Sequence, residues 1–448
     1  MAREISDFNR ENAAGLNAAA DSANANACAD VSASANKAAA DNAAGLNATP
    51  SANRVHIGFF GRRNAGKSSV VNAVTGQDLA IVSEVKGTTT DPVQKAMELL
   101  PLGPVVIIDT PGIDDSGQVG EKRVEKSYQV LNKTDVAVLV IDNFVGPSAE
   151  DRALIEEFRR RKLPFIVALN KVDLDMESLI ETDEAHRSYD FPHLLVSALT
   201  GQGIAQLKEK IAEIAKPTGP EKKIIGDRLR RKDVVILVTP IDSSAPKGRM
   251  ILPQVQTIRD ILDVNAVCMV TQVPELSDCL AALKEPPALV VTDSQAFAQV
   301  KEILPSDVKL TSFSVLFARF KGILDTAAAG AHFLSSLRDG DKVLISEGCT
   351  HHRQCEDIGT VKLPGWIQSY TGKTLDFDFT SGGEFPRGRE QLRQYALIVH
   401  CGGCMLNEKE MVYRMNSAAD AGVPFTNYGT LIAHINGILD RSLEIFNE

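Results

Sequence analysis

The sequence predicts an α/β protein made of several units, each a parallel sheet covered by helices. Three observations carry that prediction. From residue 54 onward, apolar stretches of strand length alternate with helical patterns, as in βαβ units. Several of these strands run directly into small or polar motifs, and open α/β sheets bind ligands at such strand ends. At 448 residues, 44% apolar and 24% charged, the chain is long enough for two to four cores of ordinary composition.

The first 52 residues stand apart. NAAGLNA occurs at 12–18 and again at 42–48, in a tract of Ala, Asn, Ser and Asp with almost no large apolar residues. A disordered tail is expected, and no chemistry is assigned to it. The net charge of −10 and the 5% aromatic content argue against a nucleic-acid surface. No apolar run reaches the roughly 20 residues that would span a bilayer, so no membrane association is expected. The N-terminus lacks the plan of a signal peptide. The expected address is cytoplasmic, where clustered cysteines bind metal or do redox work.

Order begins at RVHIGFFGRRNAGKSSVVNAV (54–74), an apolar strand running into G-x-x-x-x-G-K-S and then a helical pattern. This is the context of a phosphate-binding loop. Gly61 and Gly66 let the backbone curl so that its N–H groups face phosphate oxygens. Lys67 brings positive charge to the β- and γ-phosphates, and Ser68 can ligate Mg²⁺. Asn64, Ala65 and Ser69 complete the cradle.

The next strand ends name the nucleotide. VVIIDTPG (105–112) ends in Asp109, placed to hold Mg²⁺ through water, and Gly112 offers an amide to the γ-phosphate. FIVALNKVD (165–173) ends in N-K-x-D, where the Asp173 carboxylate can accept both donors of the guanine edge. Asn170 and Lys171 flank it. HLLVSAL (193–199) brings the Ser197–Ala198 backbone to the guanine O6. Together these motifs predict a GTPase.

KGTTTDP (86–92) resembles switch I of the Era and tRNA-modification GTPases, with Thr89 as the implied Mg²⁺ ligand. Lys67, Thr89 and Gly112 are therefore the expected catalytic set. After DTPG, where Ras-like proteins carry a water-orienting Gln, this chain has Ile113, which cannot polarise water. In the resembling families K⁺ takes part of that role, held by an Asn that corresponds to Asn64. Slow, K⁺-stimulated turnover is the expectation.

KPTGPEKK (216–223) marks the end of this domain, read as 53–217. A second α/β unit, 224–312, follows in DVVILVTPI, QVQTIRDIL, AVCMVTQV, LSDCLAALK and PALVVTD, without a phosphate loop. Cys268 and Cys279 fall inside its apolar elements and read as small hydrophobes. A third unit, 313–448, holds DKVLISEGCTHH (341–352) and YALIVHCGGC (395–404). Cys349 and His351 follow one strand; His400, Cys401 and Cys404 follow another. If those strands are neighbours, the two sets meet. Three cysteines and a histidine suit structural zinc or an iron–sulfur cluster, and C-x-x-C alone suits a redox pair. The residues leave these open.

The whole pattern resembles the cluster signature of the FeFe-hydrogenase maturation GTPases, the HydF family. GRMILPQVQTIRDILD (248–263) resembles that family's dimerisation region, and DIGTVKLPGW (357–366) and SGGEFP (381–386) its C-terminal region. The likeness covers residues 54–448. It implies a GTP-hydrolysing scaffold and homodimer that binds a 4Fe–4S cluster through Cys349, Cys401 and Cys404. His351 and His400 are implied as fourth ligand or hydrogen-bonding neighbours. The scaffold would carry a transient diiron precursor between radical-SAM maturases and apo-hydrogenase. Cys355 departs from the three-cysteine pattern and could compete as a fourth thiolate. The alternative is a GTPase switch of RNA modification or ribosome assembly with a zinc-stapled C-terminal domain.

Overall fold

Each of the strand ends that carry a motif belongs to one of three sheets. The computed structural model describes residues 50–77, 93–113, 126–174, 189–216, 222–241, 250–348, 358–386 and 388–447. The tail, Thr89, Cys349, His351 and Cys355 lie outside these described residues.

The first sheet has six strands in the order β2-β3-β1-β4-β5-β6. They are β1 (Val55–Gly61), β2 (Val93–Leu99), β3 (Gly103–Asp109), β4 (Val136–Asp142), β5 (Phe165–Asn170) and β6 (His193–Leu195). All neighbours are parallel except β2, which runs antiparallel to β3. β2 has no counterpart in the expectations above, because its residues are mostly exposed and form no apolar run. The inner strands are buried on both faces, as their unbroken apolar runs require. Ile57, Phe59, Val105, Ile107 and Val138 pack on one side, under the helices Lys67–Thr75 and Ile204–Ile214. Phe60, Val106, Ile108, Leu139 and Ile141 pack on the other, against Leu154, Ile155 and Phe158 of helix Ala149–Arg160. A fully buried Phe such as Phe158 contributes roughly 2–3 kcal/mol. Ser148 and Asp151 close a capping box that starts this helix.

The second sheet, order β10-β9-β7-β8, is all parallel: β7 (Val234–Val238), β8 (Val267–Thr271), β9 (Leu289–Thr292) and β10 (Leu310–Ser312). The third, order β12-β11-β13-β14, is also parallel: β11 (Lys342–Ser346), β12 (Asp376–Thr380), β13 (Leu397–His400) and β14 (Phe425–Asn427). The two sheets share a core. Ile236, Val238, Val290 and Leu310 of the second join Val343, Ile345, Leu397 and Val399 of the third in one apolar cluster, with Leu431 and Ile432 among them.

Candidate nucleotide site and cysteine loop

The phosphate loop leaves β1 at Gly61 and enters helix Lys67–Thr75 at Gly66. A Cβ on Gly61 would stand 2.5 Å from the Val140 carbonyl oxygen, and one on Gly66 would stand 2.2 Å from Asn170 Nδ2. The loop therefore closes only with glycine at both places. Asn64 is exposed and left-handed, with φ 63°, a conformation Asn tolerates better than most residues. Lys67 Nζ pairs with Asp109 Oδ1, and Ser68 Oγ donates to Asp109 Oδ2 at 3.2 Å. The expected phosphate lysine and two Mg²⁺-binding residues thus converge.

Asn170 organises the guanine end. Its Nδ2 donates to the Ala65 carbonyl at 3.0 Å, and its Oδ1 accepts from the Ala198 amide at 3.0 Å. One side chain ties the phosphate loop to both base-recognition motifs. Ser197 Oγ donates to Asp173 Oδ1 at 2.5 Å, fixing that carboxylate at the rim. Lys171, also left-handed, pairs with Asp142 at 2.7 Å. Gly112 precedes Ile113, which is buried in the core beside Phe60 and Val106, its amide bonded to the Gly61 carbonyl. Ser69 is exposed on the first helical turn. This donor set fits a guanine nucleotide with Mg²⁺: amide-lined glycines, a lysine, a hydroxyl and two well-held carboxylates.

The cysteine loop sits at the carboxyl edge of the third sheet. β11 and β13 are neighbours, with Ser346 opposite His400, and the Cys401 amide extends the ladder to the Ser346 carbonyl at 2.9 Å. Gly348, which immediately precedes Cys349 in the chain, donates its amide to Cys401 Sγ at 3.0 Å, and Gly403 does so at 3.4 Å. Burial pushes the Cys401 thiol up to about 11, while these two amides favour the thiolate. A sulfur that already collects backbone donors fits a metal-bound thiolate. Among the described residues no group of three or more His, Cys, Asp or Glu forms a metal site.

His400 is fully buried. Its Nδ1–H donates to the Cys401 carbonyl at 2.8 Å, since a carbonyl only accepts, and Nε2 accepts from Arg414 Nη1 at 3.1 Å. Both ring nitrogens are engaged, so His400 here supports the loop rather than offering a lone pair. Burial, then the Arg414 charge, press its pKa down to about 3. Arg414 also donates to the Gly382 carbonyl at 2.6 Å, pairs with Glu410 at 3.0 Å and lies over the Phe385 ring. It thereby joins the CGGC and SGGEFP segments. Cys268 and Cys279 are far along the chain in β8 and helix Leu276–Ala281, half-buried and unpaired with each other; burial raises the Cys268 thiol to about 11.

The sequence reading missed Arg414 and Lys321. Lys321 is buried and donates to the Leu406 carbonyl at 2.7 Å; burial lowers its pKa to about 8, against the opposing fields of Glu408, Cys404 and Asp135. Asn407, where a helical pattern begins in the sequence, caps helix Glu408–Ala421 by accepting from Glu410 N. Nothing local to Arg414 or Lys321 announces that they are buried.

The fold and the nucleotide site define a P-loop GTPase domain of the Era-like class, followed by further α/β domains. A family profile described as a 50S ribosome-binding GTPase matches residues 56–171. Profiles for the hydrogen maturase F dimerization domain and tetramerization domain match residues 224–322 and 325–445. This protein belongs to the hydrogen maturase F family of hydrogenase-maturation GTPases. Curated relatives match the GTPase region. A tRNA modification GTPase MnmE of Chromobacterium violaceum is 34% identical over 40% of this chain and 39% of its own length. A GTPase Era of Crocosphaera subtropica is 32% identical over 37% of this chain and 53% of its own. The chain thus spans about half or less of the length of these two relatives. Among solved structures, Aquifex aeolicus Era bound to GDP and aluminium fluoride is 20% identical over 48% of this chain and 92% of that one, with TM-score 0.32. No helix among the described residues is long and apolar enough to cross a membrane.

Proposed function

We propose that this protein is a cytoplasmic GTP-hydrolysing scaffold that holds a 4Fe–4S cluster on Cys349, Cys401 and Cys404. It would receive a diiron precursor from radical-SAM maturases and deliver it to apo-FeFe-hydrogenase. The observation that supports this most is the meeting of the two cysteine segments. The residue before Cys349 already donates to the sulfur of Cys401 at 3.0 Å, so the described end of the first cysteine segment lies against the second. When bound, the cluster would supply an iron with an exchangeable position for cargo. The chain's own part is to orient Cys401 through the Gly348 and Gly403 amides and to brace the loop through His400 and Arg414.

In the GTPase domain Lys67, Ser68 and Asp109 would hold the phosphates and Mg²⁺ with Thr89 and Gly112, and Asp173 would select guanine. Ile113, buried, takes no part in orienting water. Turnover would be slow and raised by K⁺ held at Asn64. In this reading the chain divides at 52–53, 217–224 and 312–313. A homodimer would form through the second unit, whose edge strand β8 presents exposed Val267 and Val270.

Anaerobic reconstitution with iron and sulfide tests the reading. About four irons and four sulfides per chain are expected, with an EPR signal on reduction that Cys401→Ser removes. One tightly held zinc and no iron would favour the zinc-stapled switch instead. For the GTPase, KCl in place of NaCl raises turnover, and Asn64→Ala abolishes that difference.

A further inference from the structure

We propose that Lys321 is the buried counter-charge of the iron–sulfur cluster and raises its reduction potential; this rests on the cluster reading above. Lys321 ends the helix Phe313–Phe320 and is 2% exposed. Its ammonium donates to the carbonyl of Leu406, two residues past Cys404, at 2.7 Å. The ammonium also lies 5.8 Å from the centre of the Phe320 ring. A buried ammonium with one carbonyl and a distant ring face is still costly, and an apolar side chain would fill the space without that penalty. A compensating negative charge is needed close by. Among the described residues, the acidic groups whose fields act on Lys321 are Glu408, Cys404 and Asp135.

The two carboxylates have other engagements. Glu408 pairs with the exposed Lys222. Asp135 accepts from the His56 amide at 2.8 Å and faces Lys409. Cys404 is the anion-forming group on the loop itself. A cluster held by three thiolates carries net negative charge, and reduction adds another. A fixed buried cation beside it stabilises the reduced form more than the oxidised form. Among the described residues, Arg414 is the other buried cation beside the loop; it reaches the Cys401 carbonyl through His400, and its charge is matched by Glu410. Among the described residues, Lys321 therefore stands as the buried cation at the Cys404 end.

The test is a potentiometric titration of the full chain, reconstituted with iron and sulfide and followed by EPR. Lys321→Met and Lys321→Gln should keep the iron content of the wild type. Their reduction potentials should fall by a tenfold change in the equilibrium, about 59 mV for one electron. The Gln variant keeps an N–H donor for Leu406, so its fall should match that of Met. It also carries the comparison should the Met variant not fold. Lys222→Met removes an exposed cation from the same Glu408 and should leave the potential in place. Wild-type potential in the Lys321 variants, in Gln alone, or an equal shift in Lys222→Met, overturns the proposal. A wild-type chain that takes up no iron defeats the cluster reading itself, whereas a loaded wild type with unmoved variants defeats only the counter-charge.

Discussion

Asn407 Nδ2 donates to the Lys133 carbonyl at 2.7 Å. The same side chain caps helix Glu408–Ala421 through Oδ1 and the Glu410 amide at 3.1 Å. Lys409, two residues on, donates to the Thr134 carbonyl at 3.1 Å. The first turn after the cysteine loop is thus both a helix start and the clasp on the GTPase domain. Asn407→Ala removes both bonds and should cost about 1 kcal/mol for the lost cap. Asn407→Asp keeps the cap but loses the donor to Lys133. Amide exchange at 131–135 should quicken in both variants, and the unfolding midpoint should fall in Ala alone. Unchanged exchange in the Asp variant would show that this bond does not hold the two domains together.

The guanine end of the nucleotide site gives a second prediction. Asp173 is held by Ser197 at 2.5 Å, and its carboxylate is expected to accept two guanine donors. Asp173→Asn turns one acceptor into a donor and leaves a guanine N–H unpaired. Charge-assisted hydrogen bonds of this kind are worth about 1.5–3 kcal/mol each, so GTP affinity should fall by at least about tenfold to a hundredfold. Xanthosine triphosphate, with a carbonyl where guanine has its amine, should bind the variant better than GTP does. Calorimetric titration with both nucleotides measures this, and undiminished GTP binding would remove Asp173 from base recognition.

Acid should loosen the entry to the second domain. Arg319 donates to Asp227 Oδ1 at 2.9 Å and to the Ile224 carbonyl at 3.1 Å. Burial works against ionisation of Asp227, but the Arg319 guanidinium outweighs it and holds the carboxyl below its ordinary value. A depressed carboxyl stabilises the fold above its unfolded pKa and loses that contribution as pH falls through the folded one. The stability gap between wild type and Asp227→Asn should therefore be full at neutral pH and close below about pH 4. Urea unfolding of both proteins across that range reads it out. A gap that persists in acid would assign the effect to packing instead.

The reach of sequence reasoning differs between the two sites for a physical reason. The phosphate loop, D-T-P-G and N-K-x-D are contiguous, and each ends a strand whose apolar run is visible by itself. Their convergence follows from parallel pairing, seen in the registers of β1 with β3 and of β4 with β5. The cysteine loop was legible only in part. Neighbouring strands were a condition that the pairing of β11 with β13 meets. Its supports were not legible, because Lys321 and Arg414 come from helices whose charged residues are ordinarily solvated. Nor did β2 show, since an exposed edge strand writes no apolar period. The shared core of the second and third sheets was hidden for the opposite reason. Apolar faces such as those of Val290 and Val399 do not say which partner they meet.

The paired glycines of HCGGC are not equivalent. A Cβ on Gly402 would have nothing within 4 Å, and its backbone lies outside the left-handed region. Gly403 has φ 62°, and a Cβ there would stand 2.4 Å from Met411 sulfur, a core side chain on the helix that follows the loop. Alanine at 403 therefore meets a left-handed penalty of about 1–2 kcal/mol and must also displace Met411. The displacement would carry Gly403 N–H away from Cys401 Sγ, which it now reaches at 3.4 Å. Gly402→Ala should keep the thermal midpoint and the reconstituted iron content of the wild type. Gly403→Ala should lower both, with GTP binding unchanged because the nucleotide site lies on another sheet. If the two variants behave alike, the turn does not set the cysteine geometry. If Gly403→Ala lowers the midpoint but retains full iron, the turn supports the fold and leaves the sulfurs where they were.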